Sequence, residues 1–205
     1  MDIRLNFINN SNDTHNTQVL FYSENLLPPQ AGPAAAWKVI RNCGPGSNHP
    51  FTYPAASQIG YLDSDGNYTP RLPAEAGQSF AATFTNAGDT IRMTGPASNP
   101  QAIELINTLP SGAITAQIYK DSRLYMGGAV IHPGARVEFV LEPRLWIGTF
   151  SQVTSADSPV SMSIAQDNSE ISLLGIASAD IVMTGSGPGD ESSPFQFTLQ
   201  NIVMA

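Results

Sequence analysis

Cys43 and His49 are the only thiol and imidazole close together in the sequence, and the chemistry they suggest is nucleophilic. A thiol attacks when a base lies within hydrogen-bond reach and a third group orients that base. Gly44 and Gly46 give the intervening loop the freedom to fold back, so the pair is a candidate catalytic dyad. Against it, the residues around Cys43 carry no recognised signature of a cysteine hydrolase, and a lone cysteine usually serves as a small buried apolar residue.

Metal chemistry has two candidates. His15, His49, His132 and Cys43 lie on separate loops, without the close pairing of His or Cys that zinc and non-haem iron sites show. Asp63, Asp65 and Asn67 match the first, third and fifth positions of a calcium loop, where alternate oxygens wrap a hard cation. The match then fails: Tyr68 stands where glycine is needed and Ala74 where a bidentate glutamate is needed. A hairpin turn built on Asp65-Gly66 is the simpler reading.

Nucleotide binding is discarded. The loop from Gly185 to Asp190 (GSGPGD) lacks the GK[ST] ending of a phosphate cradle, and no helical pattern follows it. Glu138 with Glu142, or Asp190 with Glu191, supply paired acids, but nothing in the sequence sets the separation that glycoside hydrolysis requires. No cofactor is expected.

Recognition is better represented than catalysis. Tyr53, Tyr61, Tyr68 and Tyr125 sit near loops rich in Asn, Ser and Gly, and an aromatic face among neutral polar groups suits a sugar or protein surface. Core filling competes with that role for each of them. From Pro159 to Leu174, serine alternates with apolar residues around a polar turn, the pattern of a membrane-inserting β-hairpin. Each arm is at or below the roughly 9 to 11 residues that a spanning strand needs.

The elements that must position these residues read as strands. Ile3, Leu5 and Phe7 alternate with polar residues, and similar runs recur about every 8 to 12 residues, as in a sandwich or barrel. Asn99-Pro100 ahead of Ile103, Leu105 and Ile106, with Pro110 as a stop, predicts one short helix. The expected fold is all-β: an antiparallel two-layer β-sandwich with one short helix, forming a single domain over residues 1–205.

Charge narrows the partners. Seventeen acidic and nine basic residues give a net charge of −8, and the basic residues are scattered, so nucleic acid is excluded as an expected partner and a membrane is conditional. Charged residues make up only 13% of the chain, which leaves a neutral polar surface. The N-terminus reads as a strand rather than a secretory signal, so the expected location is cytoplasmic, with non-classical release as the other route. The leading expectation is a non-enzymatic binding module for a glycan, lipid headgroup or protein, able to self-associate through an exposed sheet edge. A pore-forming protein using residues 159–174 and an enzyme centred on Cys43 and His49 are the alternatives.

Overall fold

Ile3, Leu5 and Phe7 are buried on one face of the first strand, while Arg4, Asn6 and Ile8 lie on the other. The structure, a computed structural model, describes residues 1–25, 27, 34–150, 159–160, 166–185 and 193–205, and in them the protein is all-β with no helix. No helix among these residues is long and apolar enough to cross a membrane.

The chain opens with β1 (Ile3–Asn9), β2 (Gln18–Tyr22), β3 (Ala34–Ile40) and β4 (Asn48–Tyr53). It continues through β5 (Ser57–Leu62), β6 (Leu72–Ala74), β7 (Gln78–Thr85), β8 (Gly88–Pro96), β9 (Ala102–Asn107), β10 (Ile114–Lys120), β11 (Arg123–Ile131) and β12 (Arg136–Val140). It closes with β13 (Arg144–Phe150), β14 (Pro159–Val160), β15 (Gln166–Ser172), β16 (Ile176–Thr184) and β17 (Gln196–Met204). These strands divide into two units. Unit 1 holds Met1–Ser23, Ala36–Ala55 and Pro143–Ala205; unit 2 holds Glu24–Ala35 and Ala56–Glu142.

Unit 1 contains a sheet of order β17-β16-β1-β4 and a second of order β14-β3-β2-β13-β15. β1 runs parallel to β16 and antiparallel to β4. The two sheets meet through aromatic rings: Phe21 of β2 lies edge-on to Phe7 of β1 at 6.3 Å and tilted against Phe51 of β4 at 5.0 Å. Trp37 of β3 is edge-on to both Phe51 and Tyr53. Such pairs add attraction beyond area burial, so they fix which face of each strand turns inward.

Unit 2 repeats the two-layer plan with sheets of order β11-β10-β5-β6 and β12-β9-β7-β8, the second containing the parallel pair β7 and β9. Here polar groups tie the layers. Tyr61 of β5 donates its hydroxyl to the carbonyl of Thr90 in β8 at 3.1 Å. Asn107, fully buried at the end of β9, donates from Nδ2 to the carbonyls of Ile131 (2.9 Å) and Gly112 (3.0 Å) and accepts from the Leu109 N–H at 3.0 Å.

One expected element is corrected. The helix after Asn99-Pro100 is strand β9, because Asn99 closes a turn: its side-chain oxygen accepts from the Gln101 N–H and its carbonyl from the Ala102 N–H. Ile103, Leu105 and Asn107 then alternate into the core, paired to β7 and β12. Of the expected 159–174 hairpin, the described strands β14 and β15 occupy opposite edges of their five-stranded sheet. Residues 161–165 of that segment, and 186–190 of the GSGPGD loop, lie outside the described residues.

Candidate functional site

The outer face of the β17-β16-β1-β4 sheet carries a shallow depression edged by polar side chains. Because side chains alternate, Arg4 and Asn6 of β1 point away from the aromatic core, and the parallel register sets them beside Ser178 and Asp180 of β16. Pro50 of β4 is the antiparallel partner of Asn6. Together with Asn201 of β17 these residues line a groove of about 230 Å³, whose floor includes Leu5 and Ala179.

Asn201 reaches the groove through a bulge. Between the pairs Ser178↔Val203 and Asp180↔Gln200, β17 has two residues where β16 has one, and Asn201 adopts the left-handed backbone (φ 49°). A bulge re-aims a side chain that strict alternation would turn elsewhere, and asparagine tolerates that conformation better than most residues. Its Nδ2 donates to Asp180 Oδ2 at 2.6 Å. Asn6 Nδ2 donates to Asp180 Oδ1 at 3.2 Å, so each carboxylate oxygen is held by one amide.

That arrangement leaves one acceptor over. Asn6 Oδ1 is buried and has no hydrogen-bond partner. Rotating the amide would satisfy nothing, since it would turn Oδ1 toward the Asp180 carboxylate. Arg4 is exposed at the rim and makes no ion pair among the described residues. The groove thus presents the amide-held Asp180 carboxylate, with a cation and a serine beside it, over a floor that includes Leu5 and Ala179, whose side chains turn to the core face.

The residues singled out from sequence are placed differently. Tyr53, Tyr61 and Tyr125 are 3%, 1% and 0% exposed, so burial withdraws them from contact with a ligand; Tyr68, 67% exposed, is the one of the four that reaches solvent. Burial, then the charges of Asp89 and Asp63, push the Tyr61 hydroxyl up to about 12. Trp37 lies in the core, whereas Trp146 stacks on Tyr22 and stays partly exposed.

Cys43 and His49 share no hydrogen bond. Burial raises the Cys43 pKa, while burial and the neighbouring Lys38 ammonium lower that of His49. An activated thiolate–imidazolium pair shifts both groups the opposite way. The Cys43 loop has a structural duty instead: buried Asn9 donates from Nδ2 to the Cys43 carbonyl at 2.7 Å, and its own backbone bonds Gly46 and Ser47.

Asp63 is consumed by its turn. Oδ1 accepts from the N–H groups of Asp65 (2.9 Å) and Asn67 (2.8 Å), and Oδ2 accepts from Asn67 Nδ2 at 3.0 Å. The side-chain bond from Asn67 leads the causes that hold its pKa below the usual carboxylate value. Asn67, turned toward Asp63 as a donor, is no cation ligand in this geometry, and among the described residues no three His, Cys, Asp or Glu side chains gather as a metal site. His132 lies in the exposed turn between β11 and β12, and His15 in the loop after β1.

No family model, curated protein or solved structure matches the chain. The site therefore rests on its geometry. Arg4, Asn6, Asp180 and Asn201 lie on strands and carry no motif that marks them in the sequence. The available signal was the outward set of β1, Arg4 and Asn6, but its partner Asp180 is 174 residues away from Asn6.

Proposed function

We propose that the protein is a non-enzymatic binding module that takes a neutral glycan in the groove over β1 and β16. The single observation that carries this reading is the Asp180 carboxylate, held in the groove with each oxygen oriented by an amide. A carboxylate so held keeps lone pairs for further donors, and a hydrogen bond to a charged group is worth about 1.5–3 kcal/mol. A sugar hydroxyl supplies such a donor and, unlike an ammonium group, also accepts from Arg4 and Ser178 at the rim.

The other ligand classes fit less well. An anionic lipid headgroup would meet Asp180 and a chain of net charge −8. A protein partner needs an apolar anchor pocket, and the apolar part of this groove is only Leu5, Pro50 and Ala179. A pyranose ring with one apolar face and several hydroxyls matches the scale of a groove of about 230 Å³.

A glycan array followed by calorimetry tests the reading. The wild type should retain neutral glycans with an affinity nearly independent of salt, and Asp180→Ala should weaken binding at least tenfold while leaving the melting profile close to wild type. Equal binding by Asp180→Ala, or no glycan retained by the folded wild type, would overturn it.

A further inference from the structure

Along β1 the outer face of the sheet changes its hydrogen-bonding character over two residues. Asn6 and Arg4 lie on the same face of the strand, about 7 Å apart at roughly 3.3 Å per residue. The parallel register sets Asp180 beside the first and Ser178 beside the second. The Asp180 carboxylate can only accept hydrogen bonds, and the Arg4 guanidinium can only donate them. One end of the groove is therefore an acceptor and the other a donor.

The acceptor end asks for more than a single donor. An ionised carboxylate has about four lone-pair sites, shared equally between its oxygens. Asn6 Nδ2 takes one site on Oδ1 and Asn201 Nδ2 one on Oδ2, so each oxygen can still meet one further donor. Asp180 is partly exposed and keeps those sites open to solvent. Two donors at the spacing of the two oxygens of one carboxylate are what hydroxyls on neighbouring carbons present.

We propose, resting on the glycan reading, that the groove takes the non-reducing terminal residue of a neutral glycan end-on. Its adjacent C3 and C4 hydroxyls sit on Asp180, and its ring or glycosidic oxygen faces Arg4 and Ser178. The order of partners in a linked pyranose matches the groove: the C3 and C4 hydroxyls carry hydrogens to donate, while the ring oxygen and the linked C1 oxygen carry none and only accept. These groups lie at opposite ends of the ring, as Asp180 and Arg4 lie at opposite ends of the groove. Turned round, the ring would set oxygens without hydrogen against the carboxylate. An internal residue linked through C3 or C4 has lost one of the two donors. Arg4 is exposed and makes no ion pair among the described residues, so its donors are free for the ligand.

The two ends differ in weight. A hydrogen bond to the carboxylate is worth a factor of about ten or more in affinity, so blocking either hydroxyl is readable. Arg4 contributes a smaller factor, because water competes for a guanidinium at the rim. The hydrogen of an anomeric hydroxyl has no acceptor at that end, so a methyl glycoside is a sufficient ligand.

The test is an NMR titration of the wild type with the methyl glycosides of glucose, galactose and mannose, followed at the side-chain amides of Asn6 and Asn201. Each glycoside is compared with its own 3-O-methyl and 4-O-methyl ethers, a comparison that needs no protein variant. At least one parent glycoside should bind, each of its two ethers should bind about tenfold more weakly or worse, and Arg4→Ala should weaken the parent several-fold with an unaltered melting profile. On a glycan array, the glycans retained should end in a residue whose C3 and C4 hydroxyls are free. An ether that binds as tightly as its parent, an Arg4→Ala protein that binds the parent unchanged, or retention of glycans substituted at those positions would overturn end-on recognition while leaving the glycan reading standing. A folded wild type that binds no glycoside and retains no array glycan would overturn both.

Discussion

Replacing Asn107 by alanine should cost unit 2 about 3 kcal/mol. The side chain is fully buried and makes three hydrogen bonds, to the carbonyls of Ile131 and Gly112 and from the N–H of Leu109. Leu109 and Ile131 are 5% and 2% exposed, so their orphaned backbone groups meet no water and each loses about 1–3 kcal/mol. Gly112 is exposed and its carbonyl recovers solvent, contributing little. Released side-chain entropy offsets up to about 1 kcal/mol. The net is a factor of about 150 in the folding equilibrium and a melting temperature lower by at least about 6 °C. Urea and thermal unfolding followed by circular dichroism and tyrosine fluorescence provide the assay. Asn107→Asp sharpens it: relative to wild type at the same pH, the loss should be larger near pH 7 than near pH 4, where a protonated acid again donates one bond. A loss below about 1 kcal/mol for the alanine variant would show that Asn107 does not tie β9 to β11, and the argument would fail.

Further outcomes follow from the titrating groups. Burial raises the Cys43 thiol, so iodoacetamide should alkylate the native protein more slowly than a cysteine peptide at pH 7, and glycan binding should survive Cys43→Ser; faster alkylation than the peptide would contradict the placement. For Asp63 the folded pKa lies below the unfolded one, so its contribution to the 63–67 turn is complete above the unfolded value of about 3.9 and is lost as pH falls through the folded value. The Asn67 amide resonance should therefore titrate below pH 3.9, and a midpoint at or above that value would refute the turn's hydrogen bonding.

Strands were legible where one face is wet. Ile3, Leu5 and Phe7 against Arg4 and Asn6 predict β1, since a period of two admits no helical reading. The Asp65-Gly66 hairpin was equally readable, although its second arm pairs only briefly, through Tyr68 and Thr69, before β6 begins at Leu72. β9 was misread because Asn99-Pro100 serves both a helix cap and an Asx turn, and Ile103, Leu105 and Ile106 fit either period. Long-range pairing with β7 and β12 decided it, and no local pattern encodes that. The candidate site was less legible still. Tyr53, Tyr61 and Tyr125 looked like ligand residues because loops lie near them, yet aromatic area is what two-layer cores consume first. The groove needed Asn6 and Asp180 on adjacent parallel strands and Asn201 on a bulge, and a register is invisible until the sheet is assembled.

The parallel pair β1 and β16 also orders events in time. Asn6 emerges from the ribosome long before Asp180, its partner 174 positions on. Between them the β7/β8 and β10/β11 hairpins close over short loops and can form as soon as they are made. β1 must wait, holding an edge ready while most of unit 2 folds, and a chain arrested before β16 would have the hairpins but no groove. Ligand capture by this protein would thus report that translation had passed β17, which no measure of its hairpin content would do.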